Sequence, residues 1–112
     1  MVVHLDALQL KELKEVLEDE FRVLVETYLQ DAVLRLGLMR KAYSEGDNDA
    51  GRQAAHSLKG ASANLGANQL SALCEKVEHN AKAGNLSGCE ELIGQVEAEF
   101  GHVKRELTQM IA

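Results

Sequence analysis

Residues 54–66 read Ala54-Ala55-His56-Ser57-Leu58-Lys59-Gly60-Ala61-Ser62-Ala63-Asn64-Leu65-Gly66, and this stretch decides the fold. On a helix advancing by about 100° per residue, Gly51, Ala54, Ala55, Leu58, Ala61, Ser62 and Leu65 project within roughly 60° of Leu58. That stripe of small and apolar side chains lets neighbouring helices approach closely. His56 points about 160° away from Leu58, on the side of Asp49, Arg52, Gln53, Lys59, Gly60 and Ala63. The helix thus has a core face and a solvent face, and the histidine lies on the second. Glycine inside a helix costs about 1 kcal/mol relative to alanine, so Gly60, one turn after His56, needs a reason.

Working outward, the pattern predicts more helices of the same kind. Asp6 can cap a first helix ending at about Leu17. A long second helix, about 19–44, carries the stripe Phe21, Leu24, Val25, Tyr28, Ala32, Leu36, Met39 and Tyr43. The turn EGDND (45–49) supplies a glycine and several N-caps. The third helix is expected over about 48–65, with Gly66 as its stop. A fourth, about 68–83, should bury Leu70, Leu73, Cys74, Val77 and Ala81. After AGNLSG (83–88), a fifth over about 88–110 should bury Leu92, Ile93, Val96, Phe100, Val103, Leu107 and Met110. Short connections between long helices imply antiparallel neighbours. The expected fold is all-α, an antiparallel up-down four-helix bundle with an additional short N-terminal helix. Residues 1–112 read as a single domain, and the starting Met1 favours an independent protein.

Composition narrows the function. The chain has no proline, so nothing interrupts long helices. Hydrophobic residues at 46% are too many for a disordered chain. With 12 basic against 18 acidic residues the net charge is −6, opposite to what nucleic-acid binding requires. No apolar run approaches the roughly 18 residues of a membrane span, and the polar N-terminus is not a signal peptide. Cys74 and Cys89 fall in amphipathic helical patterns and read as buried free thiols, which suits a reducing cytoplasm. His4, His79 and His102 are isolated, with no metal-ligand spacing among them, so no metal or cofactor is expected.

The solvent face around His56 carries the chemistry. Lys59 lies at i+3, nothing but backbone at i+4, and a methyl at i+7 (Ala63). An exposed imidazole is a competent nucleophile near neutral pH, and Lys59 could hold an anion attached to it. Gly60 then makes room for a bulky partner. If the third and fourth helices form a hairpin turning near Gly66–Ala67, His56 and Glu78 lie level. A carboxylate there can accept one ring N–H and leave the other nitrogen free to attack.

HSLKGASANLG resembles the signature of histidine-containing phosphotransfer (HPt) domains, the relays of bacterial, plant and fungal phosphorelays. EDEF (18–21), the EGD turn (45–47) and LCEKVE (73–78) are similar to the family's pattern, so the likeness covers essentially the whole chain. The resemblance implies that His56 is the phospho-accepting residue, through Nε2, with Lys59 stabilising the phosphate and Gly60 giving access. Glu78 matches the family's ring-orienting Gln or Glu on the next helix. Ala63 and Gln53 belong to the partner-access face. The implied partners are receiver domains of hybrid sensor kinases and response regulators, whose acidic pocket supplies Mg²⁺. No nucleotide loop or Walker lysine is present, so neither ATP binding nor self-phosphorylation is expected. A monomeric, cytoplasmic phosphocarrier is the leading reading. A non-catalytic helical module sequestering a regulator is the alternative, but it would need neither nucleophile nor cation. A hydrolase would need a concave pocket with further catalytic groups. Part of the docking patch is expected on the first helix, whose leucines 5, 8, 10 and 13 exceed one narrow face.

Overall fold

The computed structural model describes residues 3–112; Met1, read as the start residue, lies outside the described residues, as does Val2. The described residues form five helices and one 3-10 turn: α1 (Ala7–Leu17), α2 (Glu20–Glu45), α3 (Asn48–Asn64), α4 (Asn68–Lys82), the turn Leu86–Gly88, and α5 (Glu90–Met110). Helices α2 to α5 form the antiparallel bundle and α1 packs across one end. At 1.5 Å per residue, α2 spans about 39 Å, which accounts for the longest molecular extent of 42 Å.

Local chemistry sets the boundaries. Asp6 accepts a hydrogen bond from the Gln9 amide and starts α1, and Asp47 does the same for α3 through the Ala50 amide. Gly46 ends α2 in the left-handed region at φ 69°. Gly66, at φ 73°, turns the chain from α3 into α4. Its carbonyl accepts the Asp6 amide at 2.9 Å, and an added Cβ would meet Asp6 at 3.1 Å. This glycine serves both the turn and the seat of α1.

The predicted stripes are those that pack. Phe21, Val25, Tyr28, Ala32 and Met39 of α2, Leu58 of α3, Leu70, Cys74 and Val77 of α4, and Ile93, Val96, Phe100, Val103 and Leu107 of α5 are buried in one core. Cys74 and Cys89 are buried free thiols; burial pushes Cys74 up to about 12, so it stays protonated and inert. Leu5 and Leu10 are buried, whereas Leu8 of α1 and Val23, Leu34 and Leu38 of α2 face solvent.

Two contacts fix how α3 sits. Tyr28 Oη and Ser62 Oγ share a buried hydrogen bond of 2.8 Å, and burial raises the phenol to about 12, partly offset by that bond. Near the other end, Leu86 packs so tightly on Gly51 that a Cβ there would lie 2.6 Å from Leu86 Cδ2. Asn48 Oδ1 accepts the Leu86 amide. The expected turn AGNLSG (83–88) contains the 3-10 turn Leu86–Gly88, and α5 begins at Glu90, about two residues after its expected start. The extra turn is what plants Leu86 in the core.

Removing one partner of a buried hydrogen bond leaves the other unsatisfied, at about 1–2 kcal/mol. Tyr28→Phe is expected to lose that much in urea unfolding, and Tyr28→Phe/Ser62→Ala less than the sum of the single variants. Additive losses would show that the two hydroxyls are not coupled.

Candidate functional site

The solvent face of α3 is built as its periodicity requires. His56 is exposed, with 63% of its side chain open to solvent. Gln53, Gly60 and Ala63 are exposed beside it, while Gly51, Ala54, Ala55, Leu58 and Ser62 are buried behind. Nothing lies within 4 Å of where a Gly60 Cβ would stand, so this glycine is not spacing a helix contact. Gln53 is tied back to Asp49 by a hydrogen bond of 2.8 Å, and Arg52 binds the same carboxylate.

Glu78 of α4 reaches across to this face. Its Oε2 lies 2.8 Å from His56 Nδ1, and its Oε1 lies 2.6 Å from Lys59 Nζ. One carboxylate thus holds both residues. The Lys59 ammonium holds the Glu78 carboxyl below the usual carboxylate range, against partial burial, and the His56 contact adds to this. Glu78 is therefore ionised near neutral pH and can only accept. Nδ1 must carry the proton, and in the neutral ring Nε2 keeps its lone pair. The Lys59 ammonium is raised above its ordinary value by the same pair. Ser71 Oγ donates to the Lys59 carbonyl at 3.0 Å, a second tie between the two helices at this level.

The contact between His56 and Glu78 is the one hairpin geometry predicts. The lysine's attachment to Glu78 was not foreseen. The position of Lys59 at i+3 from His56 suits an incoming anion and brings it equally to the facing carboxylate. Helix α1 borders the site: Gln9 Nε2 donates to the carbonyls of Ala63 and Asn64 at the end of α3.

The reading of His4 and His102 as isolated is corrected. Their rings stack at 4.3 Å, and His4 Nδ1 lies 2.8 Å from Glu99 Oε2, a carboxylate of α5 only 5% exposed. No sequence spacing could have announced a contact between residues 95 apart. It ties the segment before α1 to α5. Among the described residues no group of three or more His, Cys, Asp or Glu side chains could hold a metal ion, and no helix is long and apolar enough to cross a membrane.

A helical bundle presenting an exposed imidazole, held by a carboxylate beside a lysine, has the layout that a phosphotransfer module requires. The chain belongs to the Hpt domain family, whose model matches residues 23–111. Among solved structures, the histidine-containing phosphotransfer protein B (HptB) of Pseudomonas aeruginosa PAO1 is similar at 40% identity, with a TM-score of 0.93 over 98% of this chain and 96% of that one. The maize histidine-containing phosphotransfer protein ZmHP2 shares the fold at 22% identity, with a TM-score of 0.86 over 96% and 89% of the two chains. No curated protein gives a significant match. The function is phosphotransfer in a phosphorelay, and proteins of this family are phosphocarriers that work with receiver domains.

Since Lys59 is the main cause of the depressed Glu78 carboxyl, Lys59→Ala is expected to move its titration midpoint upward. Carbon-detected NMR of the Glu78 side chain measures this. An unchanged midpoint would mean that the ammonium does not act on the carboxylate.

Proposed function

We propose that His56 carries the phosphoryl group of this relay, accepting it from the phosphoaspartate of one receiver domain and passing it to the aspartate of another. The observation that supports this most is the Nδ1–Glu78 hydrogen bond on an exposed ring. It leaves Nε2 as the nucleophile, directed outward from the bundle. In the forward step the Nε2 lone pair attacks phosphorus, an N–P bond forms, and the P–O bond to the donor aspartate breaks with its electrons leaving on the carboxylate. The Nδ1 proton stays in place, so the phosphorylated ring is a cation facing the Glu78 carboxylate. In the return step the acceptor carboxylate attacks phosphorus, the N–P bond breaks, and the electron pair returns to Nε2.

Lys59 neutralises phosphoryl charge, Glu78 orients the ring, and Gly60, Ala63 and Gln53 form the surface on which the partner closes. The donor is a receiver domain of a hybrid sensor kinase and the acceptor a response regulator. Mg²⁺ comes with the receiver. The chain works as a cytoplasmic monomer, one domain over residues 1–112, without kinase activity of its own. A regulator-sequestering module would need no oriented imidazole.

His56→Gln is expected to stay helical and accept no label from a phosphorylated receiver, and the wild-type label to be acid-labile and base-stable. Label persisting in this variant, at His79 or His102, would exclude His56 as the carrier.

For Gly60→Gln, the expected result is a more stable protein, by up to about 1 kcal/mol, with slower transfer from the receiver. Thermal unfolding and transfer rates measured on the same variant test this. Faster unfolding, or stability gained with unchanged transfer, would remove the access role of Gly60.

A further inference from the structure

The carboxylate of Glu78 is shared between two neighbours, one on each oxygen. His56 Nδ1 is aligned on Oε2 as a hydrogen bond at 2.8 Å. Oε1 is out of contact with solvent, and the Lys59 ammonium lies 2.6 Å from it. The Lys59 side chain is 28% open to solvent and the His56 side chain 63%, so both arms remain reachable from outside.

Charge decides what happens when the ring is modified. The ring that attacks must offer a lone pair at Nε2, and beside it stand one carboxylate and one ammonium. After transfer the ring is a cation, because Nδ1 keeps its proton, and a phosphoryl dianion stands on Nε2. The carboxylate now has a cation bound directly to it, and the ammonium has a more highly charged anion within one helical turn.

We infer that Glu78 stores Lys59 while His56 is empty and surrenders it to the phosphoryl group when His56 is loaded, so that Glu78 is a positioning residue for the lysine as well as for the ring. The inference rests on the phosphocarrier role of His56 proposed above. It assigns Glu78 two opposed effects on phosphate retention. Orienting and neutralising the cationic ring favours the loaded state, whereas competing for Lys59 disfavours it. The raised Lys59 ammonium and the depressed Glu78 carboxyl are what the storage state requires.

The two effects separate in a four-protein comparison: wild type, Glu78→Gln, Lys59→Ala and the double variant. Each is loaded with phosphoramidate, a small donor that needs no docking surface. Transfer breaks its P–N bond, releases ammonia and forms the N–P bond to His56. The donor is then removed, and the lifetime of phosphohistidine is followed by ³¹P NMR. Glutamine keeps an oxygen to accept Nδ1–H but carries no charge to compete for the lysine. The ¹⁵N spectrum of His56 is expected to keep the Nδ1–H tautomer in Glu78→Gln, which shows that the ring is still held.

Replacing Glu78 by Gln is expected to change the lifetime more favourably in the presence of Lys59 than in its absence, by about two- to fivefold, the range of an exposed ion pair. No difference between the two backgrounds, or a difference of opposite sign, overturns the inference. The opposite sign would mean that Glu78 helps Lys59 hold the phosphoryl group. Failure of the parent reading looks different: wild type would then take no label that His56→Gln abolishes, whatever the comparison among the other variants.

Discussion

The close approach of α3 to its neighbours is the constraint from which the rest follows. Gly51, Ala54, Ala55 and Ser62 present little or no side chain to the core, so α4 can lie near enough for Glu78 to reach over the side of α3. A helix carrying leucine at those positions would stand farther off, and the carboxylate would meet water instead of His56 and Lys59. The same economy of volume explains the interior built from Leu, Val and Ala with two phenylalanines and no tryptophan. Function on the outer face of α3 depends on how little its inner face contains.

Much of this was legible before any coordinates. Helices announce themselves through period and caps, and Asp6, Gly46, Asp47 and Gly66 each mark a boundary where the backbone chemistry demands one. The facing of His56 followed from counting 100° steps, and its level with Glu78 from assuming a tight hairpin. What stayed hidden depends on which side chain wins a contact between elements. Leu86 turns inward because Gly51 leaves it space and Asn48 takes its amide, and neither reason is visible in the run GNLSG. Lys59 and Glu78 were each read against His56, not against each other. His4 and His102 meet only because α1 crosses the end of the bundle.

The electrostatics of the site are those of a small surface network, not of a buried catalytic centre. Two chargeable groups, His56 and Lys59, share one carboxylate at the edge of the core, where solvent moderates each interaction. A carrier must load and unload without a deep well on either side, and modest contacts that exchange partners meet that need better than one strong contact. Deep burial would strengthen each interaction while closing the surface to another protein domain.

The two pins beneath α3 add a mechanical property. Ser62, bonded to Tyr28, and Gly51, clasped by Leu86, are eleven residues apart, about three turns or 16 Å of axis. A rod fastened on its side at two such points resists both rolling and tilting, whereas one fastened at a single point could pivot about it. His56 lies between them, so its angular aim is set from both ends at once. Aiming accuracy at the exposed ring is then a property of two buried contacts that never touch a phosphoryl group.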